Sequence, residues 1–243
     1  MNTKTKYLSR NRNKKLLENG LTLLRNLPPQ SISACFFDAQ YREVMDKMSY
    51  GNEGKSRQSK RIALPQMSRT LITSFLIDIA AAMKPGGYVF FWTDKFSLVE
   101  GVHNVILEAA NRNLEPRERL IKVDMITWDK GRIAQGYRSR GKSEFCVILQ
   151  KWPKSIKTWK DKGIPDVWEE RIPHPRSGHP HKKPIHLLLA LINSVTEPLE
   201  FVLDPCAGSF ATLDVCGLTG RNFIGCDISP KYGTEAPTGG TPV

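Results

Sequence analysis

Short β-branched or aromatic runs alternate with longer helical stretches along most of the chain, and this rhythm restricts the fold more than any other feature. The runs are SACFF (33–37), YVFFWT (88–93), IKVDMIT (121–127), EFCVILQ (144–150), EFVLD (200–204) and NFIGCDI (222–228). Bounded by turn signals and rich in strand-forming residues, they read as buried strands. Residues 68–83, 96–113 and 184–195 carry apolar residues at helical spacing. Strands that alternate with helices pair in parallel, because each crossover lays its helix on a face of the sheet. The expected fold class is therefore α/β with a mostly parallel sheet. KPGG (84–87) reads as the stop between a helix and the strand behind it.

Three segments break the rhythm. YGNEGKSRQSKR (50–61) is polar and Gly-containing and reads as a loop. The stretch from about 151 to 178 is rich in Lys, Trp and Pro and reads as an irregular insert, with Trp152, Trp159 and Trp168 packing a small core of its own. The tail GTEAPTGGTPV reads as frayed. At 243 residues the expectation is a single domain, 1–243, that includes this insert. No apolar run reaches the ~18 residues of a membrane span, and the basic N-terminus has no apolar segment behind it. The five cysteines form no CxxC pair, so reduced core thiols are expected rather than disulfides or a metal site. A cytoplasmic protein without a membrane partner is the resulting expectation.

The net charge of +12 is unevenly spread. Residues 1–61 carry 13 Lys/Arg against 5 Asp/Glu, and residues 130–183 carry 14 against 5, whereas residues 199–243 reverse the sign with 2 against 5. Two basic blocks suit a polyanion, because each phosphate they neutralise releases counterions. A solvated basic surface accounts for the charge equally well.

Two segments read as ligand loops. In VLDPCAGSFAT (202–212) a strand ends in Asp204 and Pro205, and a small-residue turn with Ala207, Gly208 and Ser209 leads into a helix. In an open α/β sheet the crevice at the carboxyl ends of the strands is where ligands sit, and small residues let a ligand approach the backbone. With Phe210 where a further glycine would stand there is no G-x-G-x-x-G, which disfavours a dinucleotide. FIGCDIS (223–229) ends a second strand in Asp227, placed to take ribose hydroxyls. A plain structural turn explains either segment taken alone.

Together with HPHKKP (179–184), these segments occur in the order that resembles the amino-methylating DNA methyltransferases, with their H-P-x-x-K-P, D-P-F-x-G-S-G-T and G-x-x-F-x-G-x-[ED] segments. TWDKG (127–131), RSRGKSEFCVILQK (138–151) and the lead-in GLTLLRNLPPQSISACFFDAQY (20–41) extend the resemblance over about residues 16–232. The catalytic loop comes first and the cofactor loop last, the circularly permuted β-class order. The resemblance implies a Rossmann-like methyltransferase fold, S-adenosyl-L-methionine as cofactor, DNA as partner, and adenine N6 as acceptor in preference to cytosine N4 or RNA. It also implies a setting in restriction–modification, and leaves a homodimer open because the family often forms dimers.

The same resemblance implies the site residues. DAQY (38–41) stands where the family has D-P-P-Y, so Asp38 and the Ala39 carbonyl draw the two amine N–H bonds, and Tyr41 stacks on the flipped base. Ala39 and Gln40 replace two prolines, which removes rigidity and restores a backbone N–H at Gln40. Asp204, Pro205, Ala207, Gly208, Ser209 and Asp227, with His179 and Lys183, correspond to cofactor-side positions. Phe210 is expected to narrow the methionine end of that pocket. Asn19 stands either at the adenine of the cofactor or simply at a helix end. Lys55, Arg57, Lys60 and Arg61 are candidate phosphate contacts, and Arg138 and Arg140 either orient the target strand or pair with Glu144. The insert would serve as a short target-recognition segment. The altered loop keeps a rival open: a degenerate methyltransferase fold that binds nucleic acid, or partners an active subunit, without catalysis.

Overall fold

A computed structural model describes residues 2–39, 67–133, 138–171 and 183–229. In chain order the elements are α1 (Thr3–Asn11), β1 (Lys15–Leu17), α2 (Gly20–Asn26), β2 (Ile32–Phe37), α3 (Arg69–Ala82), β3 (Met83–Thr93), α4 (Lys95–Val99), α5 (Val102–Arg112), β4 (Leu120–Asp129), β5 (Ser143–Lys151), β6 (Val167–Glu169), α6 (Ile185–Val195), β7 (Phe201–Asp204), α7 (Ala211–Thr219) and β8 (Asn222–Asp227). The strands form one sheet in the order β1-β8-β7-β2-β3-β5-β4-β6. All pairings are parallel except those of β5 with β3 and β4, so β5 alone runs against the rest.

β2 lies near the middle of the sheet, and all six of its residues are buried. Its alternate side chains feed two cores, as the period of two along a strand requires. Cys35 and Phe37 point to a core built with α2, α3 and α5, while Ala34 and Phe36 point to a second core under α6 and α7. α3 presents Ile72, Phe75, Leu76 and Ile79 to the first core at helical spacing, and Ser68 caps its N-terminus by accepting from the Leu71 N–H at 3.2 Å.

Two expectations from sequence are corrected. β3 begins at Met83, ahead of KPGG. Met83 pairs with Ile32 and Tyr88 with Ala34, so residues 84–87 bulge within the strand instead of separating it from the helix. The end of α3 is closed from elsewhere: the buried Lys151 ammonium donates to the Ala80 and Met83 carbonyls at 2.7 and 2.9 Å. The described residues of the insert, in turn, form no separate core. Trp159 stands edge-on to Tyr88 and Phe90, Trp168 packs on the same second core, and Trp152 is 46% exposed. Residues 167–169 leave the irregular reading altogether, because they pair with β4 as the outermost strand β6. The cysteines are free thiols, and four of the five are buried. No helix among the described residues is long and apolar enough to cross a membrane.

Candidate active site

Every strand that shares the direction of β2 ends on an acid or is followed at once by one: Glu18, Asp38, Asp94, Asp129, Glu169, Asp204 and Asp227. β5 runs the other way and brings Glu144 near its start to the same edge. Most of these carboxylates organise the turn that follows them. Asp94 accepts from the N–H groups of Phe96 and Ser97 at the start of α4, and Asp129 accepts from Gly131 N–H and from Lys142. Acids thus line the carboxyl edge of this cationic protein, several of them paired with lysines.

Three of the acids sit on neighbouring strands, Asp38 after β2, Asp204 on β7 and Asp227 on β8. Asp204 is buried; its Oδ2 accepts the Thr212 hydroxyl at 2.7 Å and its Oδ1 the Cys206 N–H at 3.3 Å. Burial pushes its carboxyl up, those two hydrogen bonds pull the other way, and the charges of Asp38 and Asp227 add to the rise, which brings it to about 7. Asp227 accepts the Gly208 N–H at 3.0 Å and the Ser229 N–H at 2.7 Å, which ties the cofactor-type turn to the end of β8. Gly208 has φ +49°, a left-handed conformation that glycine adopts at no steric cost. α2 closes the back of this turn: a Cβ on Gly20 would lie 2.5 Å from the Pro205 carbonyl oxygen, so only glycine permits the approach. Asn19 serves as the cap of α2, accepting from Leu21 N–H at 2.9 Å, which is the helix-end reading.

Phe210 departs from expectation. It too is left-handed, at φ 58°, but its ring is fully buried in the second core, edge-on to Phe223 with centroids 6.1 Å apart. Because the ring turns into the protein, it does not line the turn as a narrowing wall. The backbone keeps the conformation a glycine would take, and the side chain serves the core.

Lys183, expected beside the cofactor turn, has its ammonium on the catalytic-type acid. Nζ lies 2.9 Å from Asp38 Oδ2 and 2.9 Å from Glu144 Oε2, and 4.6 Å from the Trp92 ring centroid. Glu144, expected to partner Arg138 or Arg140, is also met by Lys130 at 2.6 Å. Burial pushes Glu144 up, but the two ammonium groups prevail and hold it at about 2. Burial likewise opposes the charge of Lys183, and the two carboxylates override it, holding the ammonium above its ordinary range. Sequence reading missed the grouping of Lys183, Glu144 and Lys130, and it missed Thr212. An acid placed beside the apolar run FCVIL was the available signal for Glu144.

Arg138 and Arg140 are exposed on the segment joining β4 to β5, which leaves the sheet at the carboxyl edge together with Lys130, Arg132 and Lys142. Lys95 donates to the Ser139 hydroxyl and carbonyl at 3.0 and 3.3 Å, anchoring that segment to α4. Gln40, Tyr41, Lys55, Arg57, Lys60, Arg61 and His179 lie outside the described residues.

Comparison with known proteins places the fold and the family. The chain is 45% identical over 217 residues to the type II methyltransferase M.HhaII of Haemophilus parahaemolyticus, covering 89% of this chain and 91% of that one. Among solved structures it resembles M1.HpyAVI in complex with SAM, with a TM-score of 0.62 at 18% identity over 90% of this chain and 95% of that one. It also resembles the cytosine-N4-specific PvuII DNA methyltransferase, with a TM-score of 0.61 at 18% identity over 90% and 82% of the two chains. These likenesses establish the α/β methyltransferase fold. Residues 70–236 match the N6/N4 DNA methylase family, and with near full-length identity to M.HhaII the chain belongs to that family.

Proposed function

We propose that the protein transfers a methyl group from S-adenosyl-L-methionine to adenine N6 of a base flipped out of DNA. The observation that carries this reading is the set of three acids on adjacent strands at the carboxyl edge, Asp38, Asp204 and Asp227, beside the small-residue turn that Asp227 holds through the Gly208 N–H at 3.0 Å. Carboxylates gathered beside that turn suit a sulfonium cation. Asp227 stands at the end of β8 for the ribose hydroxyls, and the backbone of Ala207, Gly208 and Ser209 offers the close approach the cofactor needs. Once bound, the sulfonium supplies an already activated methyl group.

The chain's own residues handle the acceptor. An exocyclic amine is a poor nucleophile while its lone pair is delocalised into the ring. Asp38 and the Ala39 carbonyl accept the two N–H bonds and localise that lone pair, and Tyr41 stacks on the extruded base. As the C–N bond forms and the S–C bond breaks, positive charge moves to the amine beside the Asp38 carboxylate, which stabilises it. The proton leaves the nitrogen after transfer. An Asp rather than a Ser at the first loop position favours adenine over cytosine N4. Asp38 preceding Asp204 and Asp227 in the chain supports the circularly permuted order. His179 completes the cofactor-side set.

DNA would lie against the carboxyl edge, held by Arg138 and Arg140 and by Lys55, Arg57, Lys60 and Arg61. β6 extends the sheet beside the β4–β5 segment, which supports the insert at 151–178 as a short target-recognition element within one methyltransferase domain. The test is incubation with labelled S-adenosylmethionine and a panel of DNAs, followed by nucleoside analysis. Label in N6-methyladenine is expected. Label in N4-methylcytosine overturns the choice of base, and no label with any DNA favours the non-catalytic nucleic-acid binder.

A further inference from the structure

We propose that Lys183 is a positioning residue of the transfer step: its ammonium fixes the Asp38 carboxylate through one oxygen, and Glu144 anchors the ammonium and cancels its charge. The proposal rests on the transferase reading above and adds a device to it. Four segments far apart in sequence converge on one nitrogen. Asp38 comes from the end of β2, Glu144 from β5, Trp92 from β3, and Lys183 itself from the entry to α6, where Pro184 caps the helix. The Lys183 side chain is 18% exposed, so it is largely withdrawn from water while in contact with both carboxylates.

The arrangement answers a mechanical need. Asp38 follows the last residue of β2 and lies outside the strand ladder, so the strand alone does not fix its carboxylate. A carboxylate that must accept one amine N–H cannot rotate freely between its two oxygens. Lys183 occupies Oδ2, which leaves Oδ1 to face the amine. An ammonium this close carries a penalty, because methyl transfer brings positive charge onto the amine at the same carboxylate. Glu144 offsets part of that penalty. With Lys130 at 2.6 Å from Glu144, the cluster contains two acids and two lysines and is neutral. The other groups facing it are the Cys146 thiol on β5 and, behind Asp38, Asp204 and the Cys206 thiol.

A cofactor contact and a positioning role make opposite predictions, and so does mere structural support. The experiment compares wild type, Lys183→Met, Lys183→Arg, Glu144→Gln and the double variant Lys183→Met with Glu144→Gln. Calorimetric binding of S-adenosylmethionine and thermal unfolding are measured beside single-turnover methyl transfer to DNA across pH. For Lys183→Met the expectation is cofactor affinity within about twofold of wild type and a transfer rate lowered by up to about 100-fold, as for a misplaced reacting group. Its acid limb moves to higher pH, because Glu144 loses one of the two ammonium groups that hold its carboxylate charged. The double variant returns that limb towards wild type, and Lys183→Arg recovers part of the rate.

A Lys183→Met protein that loses cofactor affinity but keeps its rate constant makes Lys183 a cofactor ligand and overturns the proposal. A lowered rate with an unmoved pH profile, or a double variant that fails to restore the limb, reduces the residue to structural support. Wild-type transfer untouched by Lys183→Met defeats this role alone. A wild type that transfers to no DNA defeats the transferase reading, and this role with it.

Discussion

Replacing Phe210 tests whether its backbone or its ring is the feature the protein needs. The residue has φ 58° and ψ 30°, and its ring is fully buried against Phe223. Truncation to Ala removes the ring and leaves a cavity, a loss of about 3–5 kcal/mol for a buried Phe. The Cβ stays, and with it the left-handed conformation's cost of about 1–2 kcal/mol. Truncation to Gly loses the same ring but relieves that strain, while the freer unfolded chain takes back about 0.4–1 kcal/mol. Phe210→Gly is therefore expected to be more stable than Phe210→Ala by roughly 0.5–1 kcal/mol, the reverse of the usual order of these two residues. Both remain well below wild type. Thermal unfolding reads the difference as a Tm gap of about 1–4 °C between the variants. If Phe210→Ala proves as stable as Phe210→Gly or more so, the backbone is not strained and the argument fails. If either variant matches wild type, the ring is not part of the core.

Asp204 has its carboxyl raised to about 7, against about 3.9 in an unfolded chain, so the native state binds the proton more tightly and stability is lost as pH rises through 7. Asp204→Asn keeps an acceptor for the Thr212 hydroxyl, and its Tm relative to wild type should rise between about pH 5 and pH 8; a constant difference would refute the burial argument. Asp38→Ala should leave calorimetric cofactor binding nearly intact while transfer falls by about two to three orders of magnitude, and surviving activity would remove Asp38 from the mechanism. Arg132, Arg138 and Arg140 replaced together by Ala should weaken DNA binding across all sequences and flatten the log–log salt slope by about 0.9 for each phosphate no longer neutralised, whereas an unchanged slope returns them to the solvated surface.

What was readable in the sequence follows from how local each signal is. The long apolar strands and the acids that end them appear as runs of adjacent residues, so the fold class and the positions of Asp38, Asp204 and Asp227 were legible. β1 and β6 have three residues each, too few to show any period, and were missed. KPGG was misplaced because Lys151, 71 residues from Ala80 and 68 from Met83, whose carbonyls it meets, does the work of closing α3. Lys183 was assigned to the cofactor side by its motif, but its partners come from β2 and β5, and no local pattern encodes that meeting. Phe210 was misjudged because a sequence shows which residue stands at a turn and not which way its ring points.

The three-residue edge strands have a consequence for how the protein behaves in a crowded solution. An exposed sheet edge offers unpaired backbone N–H and C=O groups on which another chain can build, and the hazard grows with the length of the flat edge. Here an eight-stranded sheet with strongly apolar central strands ends on Lys15–Leu17 at one side and Val167–Glu169 at the other. The two terminal strands present short rows of free groups, with a lysine in one and a glutamate in the other, and they pair only with Gly225–Asp227 of β8 and Thr127–Asp129 of β4. The fully buried β2, with β7 and β3 on either side of it, is kept in the interior of the sheet, so these strongly apolar strands stay out of reach of a neighbouring molecule.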